Sequence, residues 1–215
     1  MKLPGLFITF EGGEGAGKST LIEHLAEKLR TDGHEIIQTR EPGGCSLSNR
    51  IRDLLNHKES FISAKTELLL FLASRAQHVE EVIEPALRAG KMVLCDRFND
   101  STLAYQGVAR SIDLKLVKEL CDFVSLHIEP DLTLFLDIDP EEGLRRIKSR
   151  QDDHTPLENL DNEGLDFHTD VRKAYLSMIQ ENPKRMRRVD ASLTPSEVCR
   201  LAYKEITSYV ANTRA

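Results

Sequence analysis

Positive charge is in short supply. Lys and Arg number 29 against 35 Asp and Glu, a formal net charge of -6, which argues against a sequence-independent grip on nucleic acid or on an anionic membrane. Any anionic ligand has to be held by local basic groups. Long hydrophobic runs are missing too: the longest, Leu68 to Ala73, is far below membrane-spanning length, and no signal-peptide hydrophobic region opens the chain. Cysteine is sparse and scattered. Cys45, Cys95, Cys121 and Cys199 form no C-x-x-C pair and have no histidines at metal spacing, so reduced thiols in a cytoplasmic protein are expected. There is no internal repeat, low-complexity tract or linker. The 215 residues, with apolar runs spread evenly, are read as one domain, 1–215, carrying a mobile insert.

What is present is concentrated near the start. The apolar run Leu6 to Phe10 breaks into Glu11-Gly12-Gly13-Glu14-Gly15-Ala16-Gly17-Lys18-Ser19-Thr20, after which Leu21, Ile22, Leu25, Ala26 and Leu29 recur at helical spacing. Gly12, Gly17, Lys18 and Ser19 satisfy the G-x-x-x-x-G-K-[ST] pattern, in the strand-then-helix context that a phosphate-binding loop requires. Glycines let consecutive N–H groups turn towards a polyphosphate, and a helix opening near Lys18 aims its free N–H groups and dipole at the same anion. Lys18 supplies a cation for the outer phosphates and Ser19 a hydroxyl for the accompanying Mg2+. The loop implies a nucleoside triphosphate without saying what is done with it.

Strand-like runs at Leu6 to Glu11, Glu35 to Thr39, Met92 to Asp96, Leu132 to Ile138 and Met186 to Val189 alternate with helical patterns. The expected fold is α/β, three layers, with a five-stranded parallel sheet covered by helices on both faces. Gly33 and Gly90 sit where helices should stop. Asp139-Pro140-Glu141-Glu142 and Thr194-Pro195-Ser196-Glu197 each offer an N-cap, a first-turn proline and a carboxylate at N3. In such sheets ligands bind beyond the carboxyl ends of the strands.

Polar residues at those ends are the candidates. Thr39-Arg40-Glu41-Pro42-Gly43-Gly44 is a sharp loop in which Arg40 either meets an anion or is merely solvated. The helix expected over Lys65 to Ala89 carries Leu68, Leu69, Leu72 and Ala73 as a core stripe, with a kink at Pro85. Phe71 and Arg75 share one of its faces, where they fit either a nucleobase or ordinary core. Asp96-Arg97 closes the third strand: a carboxylate there suits a magnesium ion, with a cation beside it for a second phosphate, or else a buried ion pair. After the fourth strand comes a basic helix end, Arg145, Arg146, Lys148 and Arg150. The acidic stretch Gln151 to Asp170, without Lys or Arg, then suits a lid.

These pieces resemble the thymidylate kinase family, in its bacterial form. The marks are the loop Glu11 to Ser19, Thr39-Arg40-Glu41-Pro42-Gly43-Gly44, Leu70-Phe71-Leu72-Ala73-Ser74-Arg75, and Asp96-Arg97-Phe98-Asn99-Asp100-Ser101-Thr102-Leu103-Ala104-Tyr105-Gln106-Gly107, in family order over nearly the whole chain. The resemblance implies transfer of the γ-phosphoryl of ATP to dTMP, with Mg2+, in a homodimer that binds neither nucleic acid nor membrane. It implies that Gly12, Gly13, Glu14, Gly15, Ala16, Gly17, Lys18, Ser19 and Thr20 hold ATP. Ser19 and Asp96 would hold the metal, Phe71 and Arg75 the thymine, and Arg97 and Arg40 the monophosphate, while Glu14, Thr102 and Tyr105 would line the sugar and base. Lys18, Asp96, Arg97 and Arg150 would act on the reacting groups. The family draws a transition-state cation from the loop or from the lid. Here the loop offers Glu14 and the central lid only His154, which leaves Arg150 first, then Arg146 and Arg172. Two other readings share the loop: a kinase for a different small acceptor, and a nucleotide-dependent switch, against which stands the absence of an N-K-x-D sequence.

Overall fold

The computed structural model describes residues 3–57, 62–150, 160 and 163–213, the side chain of Arg150 excepted. The strands are β1 (Leu6–Glu11), β2 (Ile36–Arg40), β3 (Met92–Asp96), β4 (Leu132–Asp137) and β5 (Met186–Asp190). All pair in parallel, in the order β2-β3-β1-β4-β5. Parallel strands need crossovers, and helices supply them. These are α1 (Lys18–Thr31), α2 (Ser46–Leu55), α3 (Ala64–His78), α4 (Glu84–Arg88), α5 (Asn99–Thr102), α6 (Leu114–Val124), α7 (Pro140–Arg150), α8 (Leu165–Glu181) and α9 (Pro195–Thr213).

Strand alternation splits the core into two apolar layers. Ile8 and Phe10 of β1, with Leu94, Leu134 and Leu136, pack under Leu21, Ile22, Leu25 and Leu29 of α1 and Val198, Ala202 and Ile206 of α9. On the opposite face Phe7, Val93 and Cys95 meet Val79, Ile83, Leu87 and Phe98, while Phe135 and Met186 meet Tyr105, Val171, Ala174 and Tyr175. The expected three layers are therefore present. The expected punctuation also appears: Thr194 and Glu197 bond reciprocally as a capping box, Glu197 N to Thr194 Oγ1 at 3.4 Å and Thr194 N to Glu197 Oε2 at 3.1 Å.

One expectation is corrected and two are refined. Leu68 and Leu72 are buried beside Val117 and Cys121, but Leu69 is 60% exposed and Ala73 is exposed as well. A helix in an outer layer buries one stripe, and these two residues lie about 100° round from it. The irregularity ahead of Pro85 is a π-helical turn, Val79–Ile83, whose widened backbone makes room for a ring that lacks an N–H. The stretch expected as lid is helical from Leu165 onwards, in α8, and residues 151–159, 161 and 162 lie outside the described residues.

Helix α7 rests directly on the glycine loop. A Cβ at Gly143 would come within 2.3 Å of the Glu14 carbonyl oxygen, and one at Gly15, whose φ is +70°, within 2.1 Å of the Gly143 carbonyl oxygen. Backbone meets backbone, so neither side can yield. Gly→Ala inside a helix usually stabilises by about 1 kcal/mol; Gly143→Ala is expected to lower the melting temperature instead, as a thermal unfolding scan would show.

Candidate functional site

The carboxyl ends of β1, β3 and β2 border a cleft of about 800 Å³. Every residue assigned to the acceptor lines it: Glu14, Arg40, Phe71, Arg75, Arg97, Thr102 and Tyr105. So do Gly15, Ala16, Gly17, Lys18, Ser19, Thr20 and Asp96. Gly12 and Gly13 are not among its lining residues, but their carbonyls receive the Lys18 Nζ at 3.1 and 3.0 Å. The side chain of Arg150 lies outside what is described.

The glycine loop turns into α1 through Gly17, which has a left-handed backbone, and the helix then leaves its first N–H groups open to the cleft. Burial and the nearby Arg97 pull the Lys18 ammonium below its usual range, with Glu14 and Asp96 opposing. Ser19 Oγ donates to Asp96 Oδ2 at 2.8 Å. The other oxygen, Asp96 Oδ1, is buried with no hydrogen-bond partner among the described residues. A hydroxyl beside a carboxylate with a spare oxygen is a hard-donor set that fits Mg2+, which takes few protein ligands and completes its shell with phosphate and water.

Arg97 follows at the tip of β3 with φ of 69°, a left-handed conformation uncommon outside glycine. Its Nη1 donates to Gly12 O at 3.1 Å, Tyr105 Oη at 3.1 Å and Ser101 Oγ at 3.3 Å, and its Nη2 pairs with Glu14 Oε1. Tyr105 Oη donates to the same carboxylate at 2.9 Å. Burial alone would raise the Glu14 carboxyl, but Arg97, Lys18, the Tyr105 hydroxyl and His168 outweigh it and hold it at about 2.

At the far end of the cleft, Phe71 and Arg75 project from α3. Arg75 is only 2% exposed, its Nε on Glu41 Oε2 at 2.6 Å and its Nη1 on Cys121 Sγ at 3.5 Å. Its Nη2 takes part in neither bond. Glu41 also takes His78 Nδ1 at 3.0 Å, and His78 Nε2 lies 2.5 Å from Thr39 Oγ1. The backbone at Gly44 passes so close that a Cβ there would meet the His78 ring at 2.3 Å. The loop after β2 is thus fastened to α3, and Arg40, the last residue of β2, is exposed at the cleft edge.

Residues 10–201 match the family model for thymidylate kinase. The chain belongs to the thymidylate kinase family. A thymidylate kinase of Protochlamydia amoebophila is 53% identical over 206 residues, covering 94% of this chain and 92% of that protein. One from Syntrophotalea carbinolica is 47% identical, with 90% and 91% covered. The crystal structure of thymidylate kinase from Ehrlichia chaffeensis superposes with a TM-score of 0.77 at 32% identity, covering 94% of this chain and 98% of that one. The expected α/β fold and the resemblance noted in the sequence are both borne out.

Thymidylate kinase motifs do not by themselves disclose the carboxylates behind the site. Glu67, one turn before Phe71, receives Gln106 Nε2 at 2.9 Å and Arg110 Nη2 at 3.1 Å, and Arg110 also reaches Glu163 at 2.7 Å. Glu11 and Glu41 are likewise buried and were assigned no role from sequence. For Glu11 a signal existed: like Asp96, it is an acid closing an apolar strand.

The depressed Glu14 carboxyl has a pH signature. A group whose carboxyl falls from 4.5 to about 2 on folding stabilises the protein above pH 4.5 and ceases to do so as pH drops towards 2. The unfolding free energy of Glu14→Gln is expected to fall short of wild type by on the order of 3 kcal/mol at neutral pH. Urea titrations at decreasing pH should show that gap closing between pH 4.5 and 2.

Proposed function

We propose that the protein transfers the γ-phosphoryl group of ATP to the phosphate of dTMP, giving dTDP and ADP. The observation that carries this is that one cleft is lined by the lysine-bearing loop, by Asp96 and Arg97, and by Phe71 and Arg75. One kinase domain spans residues 1–215, with a lid at about residues 145–170.

An oxygen of the dTMP phosphate attacks the γ-phosphorus, and the bond to the bridging β-oxygen breaks as ADP leaves. The attacking group is already an anion near neutral pH, so no base has to remove a proton. The work is alignment of two anions and cancellation of their repulsion. Lys18 and the N–H groups from Gly12 to Thr20 hold the donor. Arg97 and Arg40 hold the acceptor phosphate. Phe71 stacks on thymine, the Nη2 of Arg75 donates to a base carbonyl, and Thr102, Tyr105 and Glu14 border the base and sugar. Ser19 and Asp96 would hold Mg2+, which would supply positive charge at the triphosphate. Arg150 is the sequence-based choice for the cation on the group in flight.

The protein works as a homodimer. Helices α2, α3 and α6 pack side by side and expose Leu47 and Leu54, Leu69, and Leu116 and Phe123, the last to 74%, apolar side chains that a subunit contact would cover. A reducing, cytoplasmic setting suits the free thiols of Cys45, Cys95, Cys121 and Cys199, and among the described residues no helix is long and apolar enough to cross a membrane.

Two measurements test this. Offered dTMP, dUMP, dCMP and thymidine with Mg2+ and ATP, the enzyme should convert dTMP with the highest kcat/KM, and folded Lys18→Ala should lose turnover; preferential phosphorylation of thymidine would overturn the acceptor assignment. Sedimentation equilibrium should give a dimer for wild type and a monomer for Leu69→Glu.

A further inference from the structure

Glu11 is fully buried at the last position of β1, yet among the described residues none of its three hydrogen-bond partners is a cation. Its Oε1 accepts from Phe98 N at 2.8 Å, and its Oε2 accepts from Ser101 Oγ at 2.5 Å and Tyr175 Oη at 2.8 Å. A carboxylate without an ion pair is costly inside a protein. Burial and Asp100 push its carboxyl up to about 7, against the hydroxyls and Arg97. An apolar residue would be the cheaper occupant of this strand end.

The partners say what the cost secures. Phe98 N follows immediately after Arg97, whose left-handed backbone is held from the other side by Arg97 N on Phe10 O at 2.9 Å. Ser101 Oγ, while donating to Glu11, also accepts from Arg97 Nη1 at 3.3 Å. Glu11 therefore grips both the backbone of the Arg97 turn and the hydroxyl that steers its guanidinium. Tyr175 ties the same carboxylate to α8, completing a buried bracket across β1, the tip of β3 and α8.

We propose that Glu11 is a positioning residue: it fixes the strained Arg97 turn and aims the guanidinium at the acceptor phosphate without touching either substrate. The effect on the substrate rests on the role given above to Arg97; the effect on Arg97 itself does not. Misplacing a substrate-holding group by an ångström can cost about a hundredfold. In Glu11→Ala the KM for dTMP is expected to rise roughly tenfold to a hundredfold with the KM for ATP within about twofold. Glu11→Gln, which keeps an acceptor oxygen, is expected to recover most of the loss. Ser101→Ala, which removes the hydroxyl between Glu11 and the guanidinium along with its contact to Tyr175 Oη but leaves Phe98 N on Glu11 Oε1, is expected to reproduce part of it, and it carries the test if Glu11→Ala does not fold. The second readout is NMR of the Arg97 guanidinium, which should broaden or shift in the Glu11 and Ser101 variants. An ordered, unshifted Arg97 in those variants, or KM values for dTMP and ATP that rise together, overturns the proposal. If Arg97 is loosened while Arg97→Ala leaves the KM for dTMP unchanged, the acceptor role of Arg97 falls and its positioning by Glu11 stands.

Discussion

One carbonyl oxygen joins the two halves of the site. Gly12 O accepts from Lys18 Nζ and from Arg97 Nη1, each at 3.1 Å, so the cation of the glycine loop and the cation assigned to the acceptor are anchored to a single atom. The sheet makes this possible. Strand β1 lies beside β3 with Phe10 opposite Asp96, and the loop leaving one strand therefore emerges next to the Asp96-Arg97 pair ending the other. Had the two strands been separated by a third, at about 4.8 Å per strand, the contact would be out of reach. Strand order, fixed by core packing far from the cleft, decides which charges can work together.

The charges of Glu14, Arg97, Glu41 and Arg75 are each held by several fixed partners. Glu41 illustrates the logic: between Arg75 and His78, its carboxyl lies below the usual range despite burial. Removing one member of such a set leaves an uncompensated buried charge, at a cost of about 3–5 kcal/mol. The arrangement does not add much to stability over an apolar core of the same shape. What it supplies is direction: a guanidinium pinned at Nε and Nη1 keeps one orientation, at low entropic cost when a ligand arrives.

Legibility in the sequence followed the range of the interactions involved. The glycine loop, the strands and the Asp96-Arg97 pair were readable because each depends on neighbours within a few residues: a period, a cap, a left-handed turn. Glu41 was not, since its partner His78 lies 37 positions away, and no local pattern names such a pairing. Gly143 was not either, because the need for a missing Cβ comes from the loop at Gly15 pressing on it. The error at Leu69 and Ala73 has a different source. Apolar spacing identifies a stripe, but a helix with apolar residues on several sides gives no reason to choose among them.

Helix α3 is that case, and its geometry explains the ambiguity. At about 100° per residue, Leu68 and Leu72 define one direction, Phe71 and Arg75 point roughly 60° to one side, and Leu69 and Ala73 roughly 100° to the other. The first pair meets the core beside α6, the second lines the cleft, and the third faces outward. Core and cleft each demand apolar or flat surface, and the outward side adds Leu69 and Ala73, so the run Leu68 to Ala73 carries no polar punctuation. A second copy of the chain covering Leu69 would press on the same rigid helix, 15 residues long, that holds the ring and guanidinium of the base site. Under the proposed function, subunit contact and nucleobase contact would be opposite sides of one body, which the core packing of Leu68 and Leu72 holds in place.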